Sequence, residues 1–382
     1  MTNKTCIFAW SGLHVTPLGG VSMCCDQPPL TTITDQKIAE VRRSDKWNEI
    51  RQSMLDGKEH PACKKCWNLE KDGIVKSPRE LYNRANPYLL KNDAVAELDN
   101  DILFVIDYRQ SNICNMKCLS CYSGLSSMIG AEEAKEQNIK SNGVIEIVNS
   151  DLENYVMNNI PNIKSFYFAG GEPLMNPVHW NMLAELDRLS LYDRRIDYNT
   201  NLSKLDYKGK HVFDYWDKLQ NWRVGASIDA IGNRAEYVRY GTDWNNIDQN
   251  LIQMQKYYPT NYAITSCVSA INVAGLIELM DDLDRRGVTE HKWSNFVYMP
   301  NYLHVSILPR YYREQLVTTM ADRIDINSTG FKFFKNQLLN NEKATSKDKQ
   351  DFKTYIQRKD SVRGTNIFDS CPEFINIWDD IT

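Results

Sequence analysis

The chain has 382 residues, more than one compact hydrophobic core usually holds, so two domains are expected. Hydrophobic residues make up 42% and charged residues 25%, and no apolar run approaches the roughly 20 residues of a membrane-spanning helix, which predicts a globular protein without a membrane span. The formal net charge of -4 provides no general attraction to nucleic acid.

Cysteine content is the first informative feature. The chain has 10 cysteines, and its start, Met-Thr-Asn-Lys-Thr-Cys, lacks the apolar segment and cleavage site of an export signal. We therefore expect a cytoplasmic protein, in which cysteines bind metal more often than they form disulfides.

Five of these cysteines lie in the first 66 residues. Cys6 comes first, Cys24 and Cys25 end a glycine-rich run, and Cys63 and Cys66 form a C-x2-C pair. A hairpin followed by a C-x2-C turn can bring four thiolates to one point. The pattern predicts a metal site, with an iron-sulfur cluster or structural zinc as the two options.

The pattern of elements predicts an α/β fold. Residues 35–58 carry apolar side chains at intervals of three and four, which predicts one helix, whereas the polar residues 72–100 predict a connector. Short apolar runs then alternate with helical patterns, as in parallel strands joined by right-handed crossovers. The predicted strands are Ile102–Ile106, Ile163–Phe168, Arg195–Tyr198, Arg223–Ile228, Ala263–Ser269 and Lys292–Tyr298.

A second cysteine motif follows the first of these strands. Cys114, Cys118 and Cys121 form a C-x3-C-x2-C triplet. Three thiolates on one loop can hold three irons of a four-iron cluster and leave the fourth iron open to a small molecule. Zinc is the alternative, but no histidine lies near this loop to complete four ligands.

About fifty residues later, the apolar run Phe166–Phe168 leads into Gly170, Gly171, Glu172 and Pro173. Glycines at a strand end let the backbone approach a ligand, and proline fixes the turn. Alone, this would be an ordinary strand-to-helix turn; downstream of the cysteine triplet it predicts a ligand site.

The triplet and the Gly-Gly-Glu-Pro segment resemble the radical S-adenosylmethionine (radical SAM) family. The resemblance implies a partial (β/α)6 TIM-like barrel and a [4Fe-4S] cluster whose open iron binds SAM, with Gly170–Pro173 receiving the SAM amino group. It also implies a 5′-deoxyadenosyl radical that abstracts a substrate hydrogen, and a reductant such as flavodoxin or ferredoxin.

The same resemblance extends to weaker matches, for each of which a solvated loop residue is the alternative. Polar residues at two strand ends would hold the SAM ribose and carboxylate, and an arginine twelve residues after Ser227 would assist. The family usually has an aromatic or apolar adenine contact before the third cysteine, where this sequence has Ser120, followed after the cysteine by Tyr122. The matching positions are Asn199, Asn201, Ser227, Arg239 and Tyr122.

The N-terminal cysteines resemble a twitch module, a shortened SPASM module that binds an auxiliary [4Fe-4S] cluster. Its ligands are one cysteine, a second one eighteen residues later, and a C-x2-C pair, which implies Cys6, Cys24, Cys63 and Cys66, with Cys25 as an alternate. The module usually follows the barrel. A subset of the family that includes many bacteriophage proteins resembles this chain in having it first, which would mean a host-cytoplasm location if the chain is phage-encoded.

We therefore predict a twitch-like domain (residues 1–73), a connector (74–100), a radical SAM partial barrel (101–300) and a helical C-terminal extension (301–382). Residues 343–358 read as a solvated helix face, with a disordered or phosphate-binding stretch as the alternative. Cys267 and Cys371 are candidates for a hydrogen-atom donor, against the default of buried, inert cysteines.

The predicted function is hydrogen abstraction from an unknown substrate, either a peptide or protein or a small carbohydrate-like molecule, with the auxiliary cluster as electron acceptor. The alternative is a noncatalytic zinc- or iron-sulfur-binding interaction or sensor protein. SAM cleavage by the reduced protein separates the two.

Overall fold

The computed structural model describes residues 4–33, 37–73, 76–85, 87, 103–342 and 344–382. The chain divides into two compact units. The first unit comprises Met1–Cys114, Ser123–Asn199 and Leu205–Arg223; the second comprises Asn115–Tyr122, Thr200–Lys204 and Val224–Thr382.

The strands of the first unit are β1 (Gly12–Val15), β2 (Gly20–Ser22), β3 (Thr31–Thr32), β4 (Val105–Tyr108), β6 (Ser165–Phe168), β7 (Arg195–Thr200, whose last residue belongs to the second unit) and the separate hairpin β8 (Asp206–Tyr207) and β9 (Lys210–His211). Three parallel pairings join β7, β6, β4 and β1 in that order into a mixed sheet, and two antiparallel pairings add β2 and β3 to it.

The helices of the first unit lie before, between and after its strands along the chain. They are α1 (Phe8–Ser11), α2 (Ile38–Arg42), α3 (Asp45–Leu55), α4 (Lys64–Asp72), α5 (Pro78–Ala85), α6 (Ser127–Glu136), α7 (Ser150–Asn159), α8 (Pro177–Arg188) and α9 (Phe213–Trp216), with 3-10 turns at Pro61–Cys63 and Pro173–Met175.

The second unit contains three parallel strands in the order β10, β12, β13, and a small antiparallel pair of β5 with β11. These strands are β5 (Lys117–Cys118), β10 (Asn221–Ser227, which begins in the first unit), β11 (Arg239–Tyr240), β12 (Tyr262–Val268) and β13 (His291–Phe296).

Most of the second unit is helical after β13. Its helices are α10 (Gly232–Val238), α11 (Trp244–Tyr257), α12 (Leu276–Arg285), α13 (Arg310–Arg323), α14 (Thr329–Leu339), α15 (Ser346–Arg363), α16 (Ile367–Ser370) and α17 (Phe374–Ile377), with 3-10 turns at Val273–Gly275, Asn301–Leu303 and Val305–Ile307.

This alternation of parallel strands and helices confirms the predicted α/β class, is consistent with a partial TIM-like barrel, and ends in the predicted helical extension. The one helix predicted over residues 35–58 is wrong: Ser44 adopts an extended backbone (φ -64°, ψ 158°) and starts α3, so two helices form. Asp35, Ile102, Lys343 and most of the predicted connector lie outside the described residues, but α5 forms within that connector.

No helix in the described ranges is both long and apolar enough to cross a membrane.

Candidate functional site

Cys114 and the Gly-Gly-Glu-Pro segment, both in the first unit, follow neighbouring strands at the same end of the sheet. β4 and β6 are parallel, with Ile106 opposite Phe166, so the loop that leads to Cys114 and the loop that begins with Gly170 emerge side by side, where α/β active sites gather. The Glu172 N–H donates a 2.7 Å hydrogen bond to the carbonyl of Ile113. The Gly-Gly-Glu segment therefore packs directly against the residue before Cys114.

Gly171 is required by this close approach. A Cβ atom at this position would lie 2.2 Å from the carbonyl oxygen of Ile113, closer than any side chain allows. Gly170 has a φ of 119°, in the region that favours glycine. The structure thus explains why glycine is needed at both positions: close backbone packing at Gly171 and a positive φ at Gly170.

Glu172 and Pro173 form the turn that follows. Glu172 is 1% exposed, and its Oε1 accepts a 3.1 Å hydrogen bond from the N–H of Leu174. Pro173 starts the 3-10 turn, where its fixed φ fits and its missing N–H costs nothing. The carboxylate is thereby held in one position beside the cysteine loop.

Asn112, which the sequence analysis missed, anchors the loop before Cys114. Its fully buried side chain donates to the carbonyls of Ser123 (2.7 Å) and Gly143 (2.9 Å) and accepts from the N–H of Ile145 (2.8 Å). The Cys114 N–H donates to Ser127 Oγ at 3.2 Å. Only its position two residues before a cysteine ligand could have suggested this role.

Cys118 and Cys121 belong to the second unit, on a turn in which the Cys121 N–H donates to the Cys118 carbonyl at 3.1 Å. β5 pairs with β11 so that Cys118 lies opposite Arg239. Burial raises the pKa of Cys118, although Arg239 opposes this, and burial followed by Cys118 raises the pKa of Cys121 to about 11. Both thiols are therefore neutral until a metal ion displaces their protons.

Arg239 joins Cys118 to the end of β10. Its Nε donates to Asp229 Oδ2 at 2.8 Å, and its Nη1 lies 3.8 Å from the Cys118 sulfur. Asp229, 2% exposed, also accepts a 2.7 Å hydrogen bond from the N–H of Cys267. The guanidinium of Arg239, a predicted SAM contact, is thus held between the Asp229 carboxylate and the Cys118 sulfur.

Cys267 lies in the same environment as Cys118. Burial, then Asp229, raise the pKa of the Cys267 thiol to about 12, while Ser120 and Arg239 act in the opposite direction. Cys371 differs, because it is fully buried in the hydrophobic cluster of the C-terminal helices. That position favours a packing role for Cys371.

The remaining predicted SAM contacts divide between the units. In the second unit, Asn201 Nδ2 donates to Asn115 Oδ1 at 3.0 Å, next to the cysteine turn, and Ser227 stands opposite Thr265 at the end of β10. In the first unit, Asn199 donates to the Tyr167 hydroxyl at 2.6 Å. Tyr122 is 54% exposed.

The auxiliary cysteines meet in the first unit. Cys6, Cys24, Cys63 and Cys66 line one cavity. Burial raises the pKa of Cys6 to about 12, with Cys63 and Cys66 adding to the effect, and burial likewise raises the pKa of the other three thiols. Four soft sulfur ligands that converge on one cavity, two of them buried and two partly buried, fit a shared metal cluster, whose positive charge stabilises their deprotonated form.

Gln27 and Arg79 support these cysteines and were not predicted. Gln27 Nε2 donates to Cys63 Sγ at 3.2 Å. Arg79, on α5, donates from Nη1 to the Thr5 carbonyl at 2.9 Å. Its Nε and Nη2 donate to the Glu70 carboxylate at 2.9 and 2.6 Å. Glu70 lies four residues after Cys66, and an acidic residue so close to the cysteine pair could have indicated a basic partner.

Within the described ranges, no group of three or more His, Cys, Asp or Glu side chains is arranged to hold a single metal ion.

A second cavity of about 180 Å³ lies beside Cys24 and Cys25; we call it the His14 cavity. His14 Nδ1 is 3.0 Å from Asp107 Oδ2, and Arg109 donates two 2.8 Å hydrogen bonds to the same carboxylate. Burial opposes ionisation of Asp107, but His14 and Arg109 outweigh it and lower its pKa. Other lining residues are Tyr82, Val105 and Tyr167.

Comparison with known proteins identifies the N-terminal module. Residues 6–67, which include the four proposed auxiliary ligands, match the family model of SPASM, an iron-sulfur cluster-binding domain. This match confirms the predicted iron-sulfur module. With the C-x3-C-x2-C loop, it makes the chain similar to radical SAM proteins that carry a SPASM-type module.

The solved structures that match this chain share little sequence with it. Native anSMEcpe with bound AdoMet and Cp18Cys peptide has 18% identity and a TM-score of 0.39, covering 58% of each chain. The structure of SuiB from Streptococcus suis has 16% identity and a TM-score of 0.35, and the match covers 88% of this chain and 64% of SuiB. The structure of SuiB bound to S-adenosylmethionine has 14% identity and a TM-score of 0.34, and the match covers 82% of this chain and 67% of SuiB. The chain thus spans 58% of the anSMEcpe length. No curated protein matched it.

Proposed function

We propose that the chain is a radical SAM enzyme in which Cys114, Cys118 and Cys121 hold a [4Fe-4S] cluster and SAM occupies the open iron. The observation that most supports this is the packing of Gly171 and Glu172 against Ile113, the residue before Cys114. When bound, the cluster supplies the electron that cleaves SAM to a 5′-deoxyadenosyl radical. A flavodoxin or ferredoxin would deliver that electron.

In this proposal, different residues around the cysteine loop have different roles in binding SAM. Gly170 and Gly171 give the SAM amino group access to the backbone, with Glu172 and Pro173 fixing the turn. Arg239 holds Asp229 beside Cys118. The further SAM contacts are Asn199, Asn201, Ser227 and Tyr122.

In this proposal, Cys6, Cys24, Cys63 and Cys66 hold an auxiliary cluster that accepts the second electron of a substrate oxidation, and the His14 cavity receives the reacting group. The cavity is beside Cys24, and Arg109, which holds Asp107, also packs against Gly170, where an added Cβ would lie 3.1 Å from the Arg109 Cβ. A volume of about 180 Å³ admits one side chain or a small molecule. Both substrate classes, peptide and carbohydrate-like, fit that size.

Two sets of cysteine-to-alanine substitutions test the proposal and act as controls for each other. Protein reconstituted anaerobically should contain about eight irons per chain. Replacing Cys114, Cys118 and Cys121 should leave about four irons and abolish formation of 5′-deoxyadenosine with dithionite and SAM. Replacing Cys6, Cys24, Cys63 and Cys66 should also leave about four irons but keep SAM cleavage.

Absence of 5′-deoxyadenosine from wild-type protein with full iron would refute the enzyme and favour an interaction or sensor protein. About four irons and one zinc in the wild type would refute the auxiliary iron-sulfur cluster but not SAM cleavage.

A further inference from the structure

The C-terminal helix α15 reaches the cysteine turn of the second unit. The Tyr355 hydroxyl donates a 2.7 Å hydrogen bond to the carbonyl of Leu119, which lies between Cys118 and Cys121. The N–H of Leu119 donates to the Val238 carbonyl at 2.9 Å. The backbone of this turn is therefore held on one side by the residue before β11 and on the other by a helix more than 230 residues later in the chain.

Packing reinforces the same contact. Leu119, 3% exposed, belongs to the buried hydrophobic cluster that contains Phe352 and Ile356 of α15, both fully buried. Phe352, Ile356, Lys359 and Arg363 are buried and follow the spacing of one helix face. This face of α15 packs against the interior of the second unit, so only the other faces of residues 346–363 are open to solvent.

The last residue of α15 brings a second positive charge to the cysteine turn. The Arg363 guanidinium lies 5.1 Å from the centre of the Tyr240 ring, and the Tyr240 hydroxyl donates to the Arg363 carbonyl at 3.2 Å. Tyr240 pairs with Lys117, the neighbour of Cys118. Arg239, the neighbour of Tyr240 on β11, stands opposite Cys118 itself, so the Arg363 guanidinium adds its charge next to the strand pair that carries this cysteine.

We propose that α15 is part of the SAM-cluster site, in which Tyr355 and Arg363 are positioning residues: Tyr355 holds the Leu119 turn in place, and Arg363, over the Tyr240 ring, adds a second positive charge to the β5–β11 pair that carries Cys118. The inference rests on the proposed function, because it concerns the cluster that Cys114, Cys118 and Cys121 would hold.

Two different effects follow from the two residues. A cluster gains one negative charge when it is reduced, so a nearby guanidinium favours the reduced state and raises the midpoint potential. A hydrogen bond to the backbone of the turn instead limits opening of the turn and slows loss of the cluster. Arg363 should therefore control potential, and Tyr355 should control retention.

The test uses the full-length, anaerobically reconstituted protein. Redox titration followed by electron paramagnetic resonance (EPR) reports the cluster whose signal changes on addition of SAM, and the rate of iron release to a chelator reports retention. Arg363→Gln should make reduction roughly tenfold less favourable, about 59 mV lower for one electron, and Arg363→Lys should remain near wild type. Tyr355→Phe should release iron several-fold faster at an unchanged potential.

Two exposed side chains of the same unit provide matched controls. Arg285→Gln and Tyr311→Phe remove the same groups from side chains that are 72% and 45% exposed, and both should match wild type. If Arg363→Gln does not fold, the release rate of Tyr355→Phe decides. Wild-type behaviour of both Arg363→Gln and Tyr355→Phe would overturn the inference while SAM cleavage stands; a wild type without any SAM-responsive cluster would overturn the proposed function and this inference with it.

Discussion

Gly171 is the residue at which the geometry of the site is most constrained. Its missing side chain lets the backbone of the Gly-Gly-Glu segment touch Ile113, and a Cβ would meet that carbonyl at 2.2 Å. Gly171→Ala must push the segment away from Cys114. Because misplacement of about 1 Å can reduce a rate roughly 100-fold, we expect a loss of about that size in 5′-deoxyadenosine formation, measured by liquid chromatography at full iron content.

The control for that substitution is Gly330→Ala, where the new Cβ meets side-chain atoms rather than backbone, the nearest being Trp293 at 3.2 Å. This variant should cleave SAM at the wild-type rate. Equal rates for the two alanine variants would show that contact with Ile113 has no part in SAM binding.

Asp229 allows a second prediction at the same scale. It is buried between Arg239 and the Cys267 N–H. Asp229→Asn leaves the Arg239 charge without its carboxylate, which typically costs about 3–5 kcal/mol for a buried pair. Urea unfolding should show a loss of that order, whereas Asp281→Asn, which breaks an ion pair at a 57% exposed carboxylate, should cost under about 1 kcal/mol. A loss under about 1 kcal/mol for Asp229→Asn would contradict the pairing.

Residue types and spacings suggest candidate metal ligands but give no signal for the residues that support them. Cys63 and Cys66 became candidates because a C-x2-C pair is a typical spacing of metal ligands. Asn112 and Gln27 could not, since amide side chains occur throughout soluble loops and only the folded chain shows which ones face a cysteine segment.

At the scale of the element, apolar patterns predicted that strands exist but misjudged where they end. The pattern ends at Ile106, yet β4 continues through Asp107 and Tyr108. Asp107 is tolerated inside because Arg109 pairs with its charge and the His14 ring nitrogen lies 3.0 Å from its carboxylate. A pattern based on hydrophobicity cannot anticipate a buried polar residue whose partners come from elsewhere.

Helix α5 has a function that its polar sequence did not suggest. Through Arg79 it joins Thr5, next to Cys6, to Glu70 of α4. Arg79→Gln removes that link, so we expect loss of the auxiliary iron, about four of about eight atoms, with SAM cleavage retained. Iron analysis and the 5′-deoxyadenosine assay measure the two results.

The control is Lys76→Gln, which removes a positive charge whose side chain is 58% exposed near the start of the same helix. It should keep all its iron. Full iron in Arg79→Gln would show that α5 does not support the auxiliary module.

At the scale of the whole molecule, pairing between distant strands was the least predictable property. The sequence indicated a separate N-terminal hairpin, but β1 pairs in parallel with β4, with Leu13 opposite Ile106, about ninety residues later in the chain. Such pairing depends on tertiary packing, so local pattern carries no signal for it. The same limit applies to α15, because no local sequence motif predicts its contact with Leu119.

The central claim is that SAM binds an iron held by Cys114, Cys118 and Cys121, and labelled SAM tests it most directly. Electron-nuclear double resonance of the reduced protein with SAM carrying 15N in its amino group should show hyperfine coupling between that nitrogen and the cluster. The coupling should disappear when the three cysteines are replaced and persist when the four auxiliary cysteines are replaced. A fully iron-loaded wild-type protein that shows no coupling and no change in its EPR signal with SAM would contradict the account.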